Sequence, residues 1–352
     1  MAGVPARNVA VVGLLGTASV VLIAVSSLLG GVWISPAVVF AILVHQASAG
    51  ALGPACGPYP SASTACTIAT EIVWDARVPS IVVALFAGAA LALSGGTLQG
   101  LFRNPLADPF LLGLSSGAAM GTAILFAFGI FLSQQAVALP LFAFAGALVP
   151  GLVVYAASRS SFRNPETLVL TGVALSSVFS AILATFLFYN PSGGLQVSFW
   201  LLGSLSNETW TRAGILVGAV LAIGAALSIQ GRELNVLQLG PDVAHSVGVE
   251  TSRVVRRLIL LTTLLTAAAV AFTGVIGFVG LVSPHVVRRL IGPDYRRVLP
   301  CAAVFGGIFL LGAWDLAQSV IPTVVVPVGI PTAFVGGPSF LYLLYRRRAS
   351  SA

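Results

Sequence analysis

Few residues in this chain have the types and spacing that enzyme chemistry requires. Gly113, Ser115 and Gly117 match the G-x-S-x-G pattern of a nucleophile elbow, which needs a strand-to-helix turn with a histidine and an acid nearby. Here the pattern lies inside an apolar run that has neither partner. The three histidines are scattered along the chain and give no metal-ligand spacing. We therefore expect no catalytic residue, no metal, no cofactor and no enzyme.

The basic residues exclude two further kinds of chemistry. All 17 of them are arginine, and the chain contains no lysine. A phosphate-binding loop of the GxxxxGK[ST] type needs its lysine on the phosphates, and a Schiff base needs a lysine amine. If this protein uses ATP, another chain must bind it.

The composition indicates the protein class. Hydrophobic residues make up 57% of the chain, charged residues 8%, and the mean hydropathy is +1.02. Soluble domains do not have this composition, so we predict one all-α, polytopic membrane domain over residues 1–352. Ten apolar runs are candidate spans: Val9–Val32, Val78–Leu98, Phe110–Phe131, Ala136–Ala157, Thr167–Phe188, Ala213–Ile229, Leu258–Ala271, Val275–Val282, Val298–Ala313 and Thr332–Tyr345.

The eighth run is too short to cross a bilayer as a plain helix, which needs about 20 residues. Glycines and a proline interrupt the sequence there, from Gly274 through Gly277 to Pro284. We therefore predict a broken or half-length helix in this region.

Arginine placement predicts the orientation. Ten spans put both termini on one side, together with every arginine except Arg77 and Arg212. By the positive-inside rule that side is the cytoplasm. The net charge of +7 then serves orientation and contact with membrane lipid, and we expect no nucleic-acid partner.

The most polar segment is residues 231–257, which carries charges of both signs between long apolar runs. Leu234 and Leu237 mark the apolar face of a first short helix, and Gly240 ends it. Pro241 and Asp242 suit the first turn of a second helix, which Gly248 can close in a left-handed conformation. A solvated connector is the plain interpretation. Two amphipathic helices at this place favour a docking element for a cytosolic partner.

Two smaller features leave alternatives open. Cys56 and Cys66 lie in the predicted outer loop, either as a disulfide or as two unpaired cysteines. Asp315 is close to the interior of a span, where a carboxylate costs about 2.5–3.5 kcal/mol on insertion scales. It is either a proton or ion site or, as we favour, a structural acid near the outer end of its helix.

Four segments together resemble the FecCD permease family. They are NPLADPFLLGLSSGA, LNVLQLGPDVAHSVGV, GVIGFVGLVSPHVVRRLIGPDYRRVLP and VPVGIPTAFVGGPSFLYLL, in order between about Arg77 and Tyr345. The family comprises membrane subunits of type II ABC importers for haem, ferric siderophores and cobalamin.

The resemblance implies a homodimer of ten-helix subunits in a bacterial inner membrane, two cytosolic ATPase subunits and a periplasmic binding protein. It implies alternating access, and we place haem first among the substrates. The coupling helices match positions Leu234, Leu237, Gly240, Pro241, Asp242, Ala244, Val247 and Gly248. The family motifs also contain structural positions, here Asn104, Pro105, Asp108, Pro109, Gly113, Gly117, Gly277, Pro284, His285 and Asp315.

The chain departs from the family pattern on the outer face. Ser80 and Gln318 stand where the family usually has arginine, and Val326 stands where it usually has glutamate. Docking of the binding protein is then left to Arg77 and Arg212. The alternative function is an ion-coupled secondary transporter that uses Asp315, but such a carrier needs no ATPase dock.

Overall fold

The protein is described by a computed structural model over residues 6–57, 63–127, 135–161, 165–206, 208–321 and 326–349. Within these ranges the regular structure is helical throughout, which confirms the all-α class. We number the helices α1 Ala6–Leu28, α2 Pro36–Ala47, α3 Thr64–Leu101, α4 Leu114–Ala127, α5 Gln135–Ser161, α6 Pro165–Tyr189, α7 Pro191–Leu201, α8 Trp210–Ile229, α9 Gly231–Gln238, α10 Pro241–Ser246, α11 Thr251–Thr273, α12 Val279–Ile291, α13 Tyr295–Ser319 and α14 Gly329–Ala349.

Each predicted apolar run coincides with a helix. Seven helices in the described ranges are long and apolar enough to cross a membrane, namely α1, α3, α5, α6, α8, α11 and α13. Helix α4 lies within the third run, α12 begins inside the eighth run, and α14 extends beyond the tenth run at both ends. Helix α12 has 13 residues, as expected for a half-length helix.

Helix α3 is the central element. It is buried over most of its length and packs against α8, α9, α11, α12 and α13. Glycines permit this close packing, because a side chain at Gly88 would overlap the backbone of Gly306 on α13, and one at Gly95 would overlap Gly280 on α12. Backbones therefore meet directly at two levels of α3.

The predicted helix break is confirmed between α11 and α12. Helix α11 ends at Thr273, and residues 274–278 are not helical. Gly274 has a φ of 71° and Phe278 a φ of 70°, a left-handed conformation that a bulky residue rarely adopts. The backbone thus changes direction between two helices that are each packed on α3.

Helix α2 and the first turns of α3 form a small cluster apart from the main core. Its centre contains Val38, Ile42 and Val73, all fully buried. Cys56 and Cys66 form a disulfide within it, with their Cα atoms 5.7 Å apart. Of the two alternatives for these cysteines, the structure has the disulfide.

Candidate functional site

The polar segment folds as the predicted pair of short helices. Gly240 lies between α9 and α10 with a φ of 108°, and Gly248 follows α10 with a φ of 82°. Both angles belong to the left-handed region that glycine adopts without strain. Pro241 is the first residue of α10, as expected.

The helix pair has a buried face and an exposed face. Leu234 and Ala244 are fully buried and Leu237 is nearly so, whereas Val247 is 62% exposed. The predicted coupling residues therefore have two kinds of position. Leu234, Leu237 and Ala244 anchor the helix pair on the membrane domain, and Val247 is available to a partner. The side chains of Pro241 and Asp242 lie outside the described part of the structure.

Sequence reasoning missed two further exposed apolar residues on this surface. Leu239 is 67% exposed and Val243 is 43% exposed, and both flank the α9–α10 turn. With Val247 they form what we term the coupling patch, which is Leu239, Val243 and Val247. The sequence does contain a signal for Val243, because Val243 and Val247 are four residues apart and residues at this spacing share one face of a helix.

Hydrogen bonds fix α9 to the ends of two long helices. The Gln238 side-chain amide donates to the Gly100 carbonyl at the end of α3, over 2.5 Å. The Asn235 amide donates to Asp294 over 2.7 Å, and its oxygen accepts the backbone N–H of Tyr295 over 2.9 Å. Sequence reasoning did not identify these residues.

The carboxylate of Asp294 keeps its charge at this junction. The Arg296 side chain donates to it, over 2.8 Å at the shortest, and Asn235 adds a further hydrogen bond. The hydrogen bonds from Arg296, and to a lesser extent that from Asn235, lower the pKa of Asp294 to about 2, and burial opposes this effect. The attachment of α9 is therefore independent of protonation at physiological pH.

The turn after α3 contains four of the family-motif positions. Asn104 accepts the N–H of Leu106, and Asp108 accepts the N–H of Phe110, each over 2.9 Å. These are Asx-type turns, and they position Pro105 and Pro109. The ring of Pro109 packs near Gly280, at the start of α12.

The remaining motif residues have packing roles. Gly113 closes the short 3₁₀ turn Pro109–Leu112 with a φ of 82°. Gly117 packs α4 against the backbone of Gly146 on α5. Pro284 lies in α12 against α3. In addition, Gly277 lies in the helix break and His285 is partly buried on α12.

The two arginines predicted for binding-protein docking have different surroundings. Arg77 is 8% exposed and donates to the carbonyls of Ser27, over 3.3 Å, and Val32. Arg212 lies 4.0 Å from Glu208, near the start of α8. Burial raises the pKa of Glu208 to about 7, although Arg212 opposes this effect. Burial therefore favours the protonated form of Glu208, and the charge of Arg212 favours the ionised form.

Asp315 has a partner that the sequence left open. The Ser26 hydroxyl on α1 donates to its carboxylate over 2.6 Å, and Asp315 is 6% exposed. Beside this pair is a cavity of about 200 Å³, lined in part by Ser26, Arg77, Ser80 and Gln318. The two positions that depart from the arginine pattern therefore face one cavity.

Comparison with known proteins identifies the family. The FecCD transport family matches residues 18–346. The cobalamin import system permease protein BtuC of Halobacterium salinarum is 42% identical over 283 residues, which cover 79% of this chain and 74% of that protein. The hemin transport system permease protein HmuU of Yersinia pestis is 40% identical over 280 residues, or 78% of this chain and 84% of that protein.

A third relative and a solved structure agree with this match. The iron(3+)-hydroxamate import system permease protein FhuB of Bacillus subtilis is 38% identical over 284 residues, or 79% of this chain and 72% of that protein. A structure described as an inward-facing metal-chelate type ABC transporter superposes with a TM-score of 0.78 and 29% identity, covering 96% of this chain and 98% of that one. The chain belongs to the FecCD transport family.

Proposed function

We propose that this chain is the membrane subunit of an ATP-driven importer that carries a metal chelate or corrinoid into the cytoplasm. Its family and the names of its relatives support an import role. The observation that carries the proposal is the coupling patch, an exposed apolar surface on a helix pair that is fixed to the membrane domain. Exposed apolar patches of this kind mark protein interaction sites.

The partner at the patch is an ATPase subunit on a separate chain. This chain has no lysine for a phosphate-binding loop, so it needs another chain to bind ATP. Two such subunits close on ATP, push on α9 and α10, and switch the side to which the path opens. No covalent chemistry is required of the membrane subunit.

A second copy of the chain completes the path between two subunits. Helix α6 supports this, because only 11% of the residues in its most apolar stretch are buried within one chain. Its exposed residues include Leu170, Val173, Val178 and Ile182. A second subunit covers part of this apolar surface, and membrane lipid covers the rest.

We infer that the coupling patch lies in the cytoplasm. Helix α3 has 38 residues, which span about 57 Å at 1.5 Å per residue. Its first residues adjoin the Cys56–Cys66 disulfide, and its last turn adjoins α9. Because disulfides persist in oxidising compartments, the α2 end faces the periplasm of a bacterial inner membrane, and both termini face the cytoplasm.

On this outer side a periplasmic binding protein delivers the substrate. Arg212 remains the better supported of the two docking arginines, because Arg77 is buried whereas Arg212 is half-buried. The relatives named for cobalamin, hemin and iron(3+)-hydroxamate are 42%, 40% and 38% identical, so identity does not rank these substrates. We test haem first, then a ferric siderophore, then cobalamin.

The test is uptake into proteoliposomes that contain this chain and its ATPase partner. A binding protein preloaded with haem, a ferric hydroxamate or cobalamin is supplied outside, and ATP is enclosed. We expect ATP-dependent accumulation of one of the three. Accumulation driven by an ion gradient without ATP would overturn the proposal and favour the secondary-transporter alternative, with Asp315→Asn as the variant to measure next.

A substitution in the coupling patch separates docking from folding. Val247→Arg places a charge on the exposed apolar surface, and we expect ATP-dependent uptake to fall at least tenfold with normal folded yield. The matched control is Leu52→Arg in the loop after α2, an aliphatic residue that is also 62% exposed but remote from the patch. Equal uptake by the wild type and the Val247 variant would remove the docking role.

A further inference from the structure

Helix α12 is attached to α3 through one buried side chain. Gln99, which is 1% exposed, donates its amide to the carbonyls of Gly280 and Leu281, over 3.3 and 3.1 Å. These carbonyls belong to the first turn of α12, immediately after the helix break. Gln99 therefore fixes the end of α12 that adjoins the break.

The other end of α12 is attached to the same glutamine. Arg288, in the last turn of α12, donates to the Gln99 side-chain oxygen. It also donates to the Tyr295 hydroxyl over 2.7 Å, and its guanidinium carbon lies 5.8 Å from the Tyr295 ring centroid. Gln99 thus contacts α12 at both ends, and Arg288 extends the connection to α13.

The same two helix ends hold α9. Gly100, next to Gln99, accepts from Gln238, and Tyr295 donates its N–H to Asn235. Residues from α3, α9, α12 and α13 therefore form a closed ring of hydrogen bonds, which we term the clamp: Gln99, Gly100, Asn235, Gln238, Arg288 and Tyr295. The ring connects α9 to α12 through the ends of α3 and α13.

A body that moves needs a place where the chain can bend, and the helix break provides it. Residues 274–278 are not helical, and no atom lies within 4 Å of a Cβ built on Gly277. Phe278 follows with its unusual left-handed φ of 70°. Its ring packs on Gly336 of α14, so closely that a side chain at Gly336 would overlap it. Movement of α12 would thus reach α14 through Phe278.

We propose that Gln99 and Arg288 are positioning residues that transmit displacement of the coupling helices to α12, which turns about residues 274–278 and shifts Phe278 against α14. The inference rests on the proposed import function, because it assigns the mechanical step between the ATPase dock and the membrane path. The coupling energy belongs to the ring as a whole, since removing either residue opens it.

The variants remove the bonds with little change in volume. Gln99→Met and Arg288→Gln each open the clamp, Arg288→Lys retains the charge, and Arg289→Gln alters the adjacent, exposed arginine as the control. We expect the first two to lower uptake at least tenfold while ATP hydrolysis continues, so that more ATP is used per substrate imported. Arg288→Lys should recover part of the uptake. The double variant should be no worse than either single variant.

Two outcomes would overturn the inference. One is that the folded Gln99→Met and Arg288→Gln variants hydrolyse the same amount of ATP per substrate imported as the wild type does. The other is a double variant whose loss is the product of the single losses, because independent sites would behave in that way. The substrate used is whichever of haem, ferric hydroxamate or cobalamin the wild type accumulates. If the wild type accumulates none, the proposed function fails, which is a separate result.

A second measurement tests the clamp without transport. Spin labels on Arg232→Cys in α9 and Leu290→Cys in α12, both exposed positions, report the distance between the two helices. Cys301, the free cysteine, is replaced by alanine, and the disulfide is left intact. We expect a narrow distance distribution that broadens in Gln99→Met and Arg288→Gln. An unchanged distribution would show that the clamp does not join α9 to α12.

Discussion

At the scale of single residues, the two outer arginines should respond differently to substitution. Arg77 donates to the carbonyls of Ser27 and Val32 while buried, and bonds to a charged donor contribute about 1.5–3 kcal/mol each. Arg77→Ala should therefore lower folded yield, whereas Arg212→Ala should leave yield unchanged and weaken binding-protein docking. Size-exclusion profiles in detergent measure the first effect, and a pull-down titration with loaded binding protein measures the second.

The control for this comparison is Arg103→Ala, because Arg103 is exposed at the opposite end of α3. It should change neither folded yield nor docking. A well-folded Arg77→Ala protein that has lost docking would contradict our interpretation. It would indicate that Arg77 itself contacts the binding protein.

At the scale of helices, some features could be predicted from the sequence and others could not. The bounds of α9 and α10 follow from Gly240, Pro241 and Gly248, whose backbone preferences are local. The clamp could not be predicted in this way, because Gln99 and Arg288 are 189 residues apart and Asn235 and Asp294 are 59 residues apart. A pairing between distant polar residues leaves no periodic signal in either segment.

The helix packing around Gly113, Gly117 and Gly121 could be predicted from the sequence only in part. The four-residue spacing of Gly113, Gly117 and Gly121 is typical of close helix packing, and Gly117 and Gly121 meet the backbone of α5. The spacing did not indicate the partner helix. Nor did it distinguish Gly113, whose positive φ closes a turn.

The close backbone contact between α3 and α12 leads to a testable prediction. Gly95→Ala introduces a methyl group that would overlap the Gly280 backbone, so α12 must separate from α3. Overpacking of this kind costs about 1–3 kcal/mol, and here it also strains the Gln99 bonds to the same turn. We expect lower thermal stability in detergent and loss of uptake. Gly214→Ala in α8, where no atom lies within 4 Å of the built Cβ, is the matched control and should retain both.

If the Gly95 and Gly214 variants were equally stable, the α3–α12 backbone contact would not be needed for the fold. If Gly95→Ala were stable but inactive, the contact would act on transport alone, through the position of α12. Both outcomes are distinguished by measuring thermal stability before uptake.

At the scale of the whole molecule, two distinct features lie at opposite ends of α3. The disulfide cluster with α2 is at the end where α3 begins, and the coupling patch adjoins the end where α3 finishes. The sequence predicted this polarity through its arginines, because charge bias is additive along the chain and does not depend on tertiary contacts. The cavity beside Arg77, Ser80 and Gln318 could not be predicted, since it depends on how α1, α3 and α13 converge.

This polarity is testable with thiol labelling in spheroplasts. A Cys301→Ala background carries either Leu52→Cys in the loop after α2 or Arg232→Cys in α9, both at exposed positions. A membrane-impermeant maleimide should label Leu52→Cys in intact spheroplasts, and should label Arg232→Cys only in inverted vesicles. The background without a reporter, in which both remaining cysteines are in the disulfide, is the control. Labelling of Arg232→Cys from outside would place the coupling patch away from ATP, and both the import direction and the ATPase dock would then be wrong.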